Sequence, residues 1–179
     1  MNILEKIIEQ KKMEIAALNA SALRLSAQES PTPRNFLASL TPTPLPMGEG
    51  QGVREHRRFG TSPSLIAELK RASPSKGILA PHLDLFQVAD IYIENGASAI
   101  SVLTDEKFFM GKLETLYALR NTHHVQVPLL RKDFIIHESQ IYEARVNGAD
   151  AILLIAAALT DDKLFADLHA CALELGLTA

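Results

Sequence analysis

The run Ile66-Ala67-Glu68-Leu69-Lys70 sets a carboxylate and an ammonium two residues apart in an otherwise apolar stretch. Strand side chains alternate faces, so Ile66, Glu68 and Lys70 share one face and Leu65, Ala67 and Leu69 the other. The second set is wholly apolar and suits packing beneath helices. Glu68 and Lys70 then point into a barrel interior, near the C-terminal end of the strand, where barrel enzymes build their active sites. Burying a charge without a partner costs several kcal/mol, so the two need each other or a ligand. On spacing alone two readings stand: a neutralising ion pair, or an acid–base set.

The segment "PLLRKDF" repeats the pattern. Leu130, Lys132 and Phe134 share one face; Leu129, Arg131 and Asp133 share the other. With Lys132 inward, its apolar neighbours lower its pKa and make it a better proton donor near neutrality, while a nearby Glu68 pulls the other way. Arg131 and Asp133 are expected to pair on the outer side or at the rim. "SPSKG", Ser73 to Gly77, reads as a loop in which Ser73 is held extended by the following proline. Its hydroxyls and Lys76 suit an oxyanion; ordinary turn chemistry is the other reading. "TDEKFFMG" places Phe108 and Phe109 side by side in a polar loop, one free to cover an aromatic ligand while the other packs downward.

These residues need elements to hold them. Residues 2–19 read as an amphipathic helix with Ile3, Ile7, Met13 and Leu18 near one stripe. Residues 41–62 alternate prolines, then glycines, and read as a loop or insertion. Beyond them "SLIAELK", "AISVLT", "VPLLRKDF" and "AILLIAA" read as strands, each followed by a helical pattern. Asn95-Gly96, Asn147-Gly148 and Gly176 stop three of those helices, and Thr160 is expected to cap the last. Strand–helix alternation at roughly 25–30 residues per unit argues for a parallel sheet with helices outside. "Asn-Gly-Ala-X-Ala-Ile" occurs twice, at 95–100 and 147–152, an echo that suits repeated βα units. The final "LGLTA" looks like the approach to a fifth strand. Four parallel strands do not close an eight-stranded barrel, which leaves an open α/β sheet or the front half of a barrel.

Composition narrows the classes. The chain has 179 residues, 47% of them apolar, and a net charge of −3, so no bulk electrostatic argument points to nucleic acid. The single cysteine, Cys171, excludes an internal disulfide framework and fits a reducing cytoplasm. No uncharged apolar run approaches the ~18 residues of a membrane span. The six histidines form no ligand set, since the adjacent His123 and His124 point apart and no cysteine or acid stands at metal spacing.

Taken together, "ILEKIIEQKKMEIAAL", "LIAELKRASPSKG", "AISVLTDEKFFMG" and "VPLLRKDFIIHESQIYEARVNGADAILLI" closely resemble the indole-3-glycerol phosphate synthases of tryptophan biosynthesis. The resemblance implies a (βα)8 TIM barrel preceded by a helical extension. The expected division is 1–40 extension, 41–62 Pro/Gly-rich insertion and 63–179 the first half of the barrel. It implies cofactor-free conversion of 1-(2-carboxyphenylamino)-1-deoxyribulose 5-phosphate to indole-3-glycerol phosphate, with release of CO2 and water. By the same resemblance Lys132 is the general acid of ring closure and Lys70 a substrate-binding, proton-transferring lysine. Glu68 is its paired glutamate, Ser73 contacts substrate, and Phe109, Phe134 and Leu153 wall the aromatic ring. The partner implied is a phosphorylated, anthranilate-derived small molecule, without nucleic acid or membrane. The family's fifth-strand glutamate, sixth-strand asparagine and late phosphate loops have no counterpart in these residues. The chain alone is therefore expected to turn over negligibly. The alternative is a non-catalytic half-barrel that self-associates, or binds a complementary half, through unpaired sheet edges.

Overall fold

A computed structural model describes residues 1–41, 63–121 and 125–179. The expected 41–62 insertion lies outside these apart from Thr41, as do His123 and His124. Three helices come first: α1 (Ile3–Ala16), α2 (Ala20–Glu29) and α3 (Phe36–Leu40). Asparagines start all three. Asn2, Asn19 and Asn35 each accept a backbone N–H three residues on, and Glu5 returns the bond to Asn2 in a capping box. The helix expected over 2–19 is α1, which ends at Ala16, and Asn19 caps a second helix beyond it. The expected apolar stripe is also corrected. Ile3 and Met13 are exposed, whereas Ile7 and, one turn on, Lys11 form the buried face.

The sheet follows: β1 (Ile66–Leu69), then a short antiparallel hairpin of β2 (Ala72–Ser73) and β3 (Gly77–Ile78), then α4 (Leu85–Glu94). The hairpin replaces the expected loop, turning through residues 74–76 into Gly77, whose φ of 65° favours glycine. The chain continues through β4 (Ala99–Leu103), α5 (Glu106–Phe109), α6 (Leu113–Asn121), β5 (Leu129–Lys132), α7 (Glu138–Val146), β6 (Ala151–Ile152) and α8 (Asp162–Glu174). The fourth strand is shorter than its apolar run suggests. Asp161, not Thr160, caps α8, because its carboxylate reaches the N–H groups of Lys163 and Leu164.

The four main strands pair in parallel in the order β1-β4-β5-β6, which is chain order. Outward side chains, among them Leu69, Ile100, Val102, Leu129 and Ile152, share one buried cluster with residues of α4, α6, α7 and α8. All four helices therefore cover one face. A doubly wound sheet would reverse its strand order and carry helices on both faces. Sequential order with one-sided helices is the arrangement of a (βα) barrel, so the half-barrel reading replaces the open sheet. Thr178 bridges in parallel to Ala151, the start of the expected fifth strand.

The other face is closed at its N-terminal end by the extension. Phe36 and Leu40 of α3 pack on Ala99, Leu130 and Ala151. Ala99 and Ala151 are the second alanines of the repeated motif, small where the aromatic ring needs room. A second clasp lies outside. Asp150 is fully buried, and its carboxylate accepts from the backbone of Arg34 and Leu129 and from the Arg120 guanidinium. Arg145 of α7 donates to the Ser30 carbonyl at 2.8 Å. Among the described residues no helix is long and apolar enough to cross a membrane.

Candidate active site

The register sets Glu68 beside Ser101, Ser101 beside Leu130 and Leu130 beside Ala151 on the inner face. One step further along the strands, Lys132 pairs with Leu103, and Lys70 follows the end of β1. The inward ions thus stand at the C-terminal ends of the strands. Lys70 Nζ lies 2.5 Å from Glu68 Oε1, and Lys132 Nζ bonds the other oxygen, Oε2. All three side chains remain part-exposed. Burial alone would raise the Glu68 carboxyl, but hydrogen bonds from Lys132 and Lys70 outweigh it and hold Glu68 below the usual carboxylate range. One anion between two cations leaves the set with a net positive charge that an anionic ligand would balance.

The aromatic candidates meet beside it. Phe109 closes α5 and faces Phe134, ring centroids 6.2 Å apart and tilted 37°. Met110 follows with φ 54°, and Gly111 then passes so close to Leu103 that a Cβ would stand 2.3 Å from its carbonyl oxygen. This turn leads the chain from α5 back to the sheet. Phe108 is half-buried beneath the Lys107 ammonium instead. Leu153 lies just past β6, half-buried, on the face of Ala151 by alternation. Ser73 sits on the hairpin, which contacts α5, and its hydroxyl accepts the Lys76 N–H at 3.3 Å. Its visible work is the turn.

Two features escape a reading of the sequence. Ser101 is buried between Glu68 and Leu130, and its hydroxyl has no hydrogen-bond partner among the described residues. More extensive is an ionic network on the outer face. Arg131 and Asp133 do pair, at 3.2 Å, fully buried, with Thr104 bonding both and Glu143 on Arg131. Into this network comes Lys11 from α1, 2% exposed, its ammonium 2.8 Å from Asp133, 3.0 Å from Asp105 and 2.9 Å from Glu14. Burial would lower the Lys11 pKa, but Asp133 and the other carboxylates outweigh it and raise it. The only sequence signal was helical spacing from Ile7. Cys171 packs against the core, and burial pushes its thiol up.

Helix α1 thereby lies across the strand ends. Gln10 accepts from Lys107 of α5, Lys11 reaches the ends of β4 and β5, and Leu4 and Ile8 face Ala157 and Ala158 beyond β6.

Residues 4–179 match the family model described as indole-3-glycerol phosphate synthase. A protein of that name from Desulforamulus reducens is 44% identical over 181 residues, 99% of this chain and 61% of its own length. One from Rippkaea orientalis is also 44% identical, over 91% of this chain and 51% of its own. A third, from Chloroherpeton thalassium, is 43% identical over 100% of this chain and 64% of its own. The chain thus spans about half to two thirds of the curated relatives it matches.

Proposed function

Because the chain belongs to the indole-3-glycerol phosphate synthase family, we propose that it supplies the proton-donating and ring-binding half of such an enzyme. The proposed reaction closes 1-(2-carboxyphenylamino)-1-deoxyribulose 5-phosphate to indole-3-glycerol phosphate, releasing CO2 and water. Residues 1–40 are the extension and 63–179 the catalytic βα units.

The observation that carries the reading is the Glu68–Lys70–Lys132 set at the strand C-termini, with the Phe109–Phe134 pair beside it. Ring closure needs a proton on the substrate carbonyl as the aromatic carbon attacks, and Lys132 is the donor. The ring carbon that attacked then loses its carboxylate as CO2, and the C–C bond electrons return to the ring and restore aromaticity. Dehydration follows: a proton must reach the leaving hydroxyl and another must leave the ring system. Lys70 and Glu68 share this exchange. The net positive set attracts a substrate that carries both carboxylate and phosphate. Phe109, Phe134 and Leu153 wall the ring, and Ser73 contacts the substrate from the hairpin. Small anionic substrate, absence of a disulfide framework and single thiol together favour the cytoplasm.

The test is to combine the chain with the C-terminal portion of the Desulforamulus reducens relative and follow indole formation. Turnover that Lys132→Met abolishes supports the assignment. A completed barrel that binds the substrate and releases no indole product overturns it. A second reading rests on β1, which pairs on one side only among the described residues and starts at exposed Ile66, with exposed Leu65 just ahead of it. That edge suits self-association, and sedimentation of the chain as a compact monomer would refute it.

A further inference from the structure

Lys11 touches no residue of the proposed catalytic set, yet its two buried carboxylate partners each hold one of the aromatic walls. Asp105 is the N-cap of α5: its Oδ1 accepts the Phe108 N–H at 2.7 Å, and its Oδ2 meets Lys11 at 3.0 Å. Phe109 is the last residue of that one-turn helix. Asp133 Oδ1 accepts the Phe134 N–H at 2.8 Å and the Lys11 ammonium at 2.8 Å. One ammonium therefore stands between the carboxylate that fixes the start of α5 and the carboxylate that fixes the backbone of Phe134. Gln10, its neighbour in sequence, accepts from Lys107 at 2.7 Å and holds the same short helix from outside.

We propose that Lys11 is a positioning residue: from the helix ahead of the barrel it sets the separation of Phe109 and Phe134, and so the fit of the slot for the substrate's aromatic ring. A four-residue helix has too few internal hydrogen bonds to hold its own place. Its placement comes from its cap and from what grips that cap. Two buried carboxylates this close repel unless a cation lies between them, and Lys11 is the cation that α1 brings. Arg131 and Thr104 serve the other oxygen of Asp133, which leaves Lys11 as the group common to both aromatic arms. The slot is thus a feature of the docked extension as well as of the barrel.

The mechanistic consequence rests on the function proposed above; the structural one does not. With fluorinated phenylalanine in the 1–179 chain, fluorine NMR resolves the seven rings, assigned by single Phe→Leu variants. Lys11→Met is expected to shift or broaden Phe109 and Phe134 and leave Phe165 of the α8 core unmoved. Asp105→Asn keeps Lys11 on Asp133 and is expected to move Phe109 alone. This second variant decides the matter if Lys11→Met does not fold. Asp150→Asn, which loosens the distant clasp, is expected to leave both rings in place. In the completed barrel Lys11→Met should raise KM about tenfold with kcat within about threefold, the mark of lost ring binding rather than lost proton transfer. Unmoved Phe109 and Phe134 resonances in folded Lys11→Met or Asp105→Asn overturn the proposal. Rings that move in a barrel without turnover leave the positioning intact and sink the catalytic reading instead.

Discussion

Lys132 and Glu68 are 64 residues apart in the chain and two strands apart in the sheet, yet their side chains bond across the inner face. The strand between them is β4, and its inward residue at that level is Ser101. The ion pair therefore roofs Ser101, whose hydroxyl is buried on the same inner face as Ala99 and Ala151. The charge of Glu68 is what holds the roof.

That dependence sets a pH signature. The Glu68 carboxyl lies lower in the folded chain than in the unfolded one. Its contribution to stability is complete above the unfolded value, roughly 4.3 for a glutamate, and is lost as pH falls through the depressed folded value. Glu68→Gln removes it. Urea midpoints should show wild type ahead of the variant near neutrality, with the gap narrowing as pH falls below about 4.3. A gap constant across that range would mean that the lysines do not hold the carboxylate in solution.

Lys132 differs from Lys70 in what surrounds it. Both bond Glu68, but Lys132 shares its face with Leu130 and Phe134, beside the proposed ring slot. In the completed barrel Lys132→Met is expected to lower kcat by about 10²–10⁴, the usual worth of a positioned general acid. Substrate affinity should change far less. Steady-state kinetics separate the two. A loss confined to KM would make Lys132 a binding residue and return proton transfer to Lys70.

The inward ions and the repeated strand–helix units were legible because each depends on local rules. Period-two alternation put Glu68 and Lys132 on one face, and turn residues marked the helix ends. Lys11 was not legible for the opposite reason. A lysine on a charged amphipathic helix looks solvated, and only the return of α1 over the strand ends supplies Asp105 and Asp133. The stripe through Ile3 and Met13 misled because packing, not periodicity, chose the buried face. The hairpin at Ser73 was missed because two-residue strands carry too little pattern to distinguish them from a turn.

The plug beneath the site makes a packing prediction. Ala99 and Ala151 are essentially inaccessible, and Phe36 fills the space they leave. Ala151→Leu adds three carbons where the ring already sits. It should destabilise by about 1–3 kcal/mol, as overpacked cores do. Pairing it with Phe36→Ala should recover part of the loss, because removing the ring makes room for the three added carbons. A double-mutant cycle on urea midpoints reads this directly. Strict additivity would place Phe36 elsewhere.

The clasp at Asp150 should be the costliest of these sites to disturb. Its carboxylate is 0% exposed and serves three donors from three parts of the chain: the Arg34 backbone ahead of α3, the Arg120 guanidinium at the end of α6 and the Leu129 backbone at the start of β5. Asn keeps the shape but has one acceptor oxygen, so at least one of these donors loses its partner. Removing one member of a buried ion pair costs about 3–5 kcal/mol, and the surviving amide oxygen should reduce this to about 2–3 kcal/mol in Asp150→Asn, given that an orphaned donor alone costs about 1–3. Arg120→Met breaks the same pair from the more exposed side and should cost less. Urea unfolding of both variants gives the order. Equal losses would mean that the pair alone matters and the backbone donors find water, so that Asp150 does not tie the extension to the sheet.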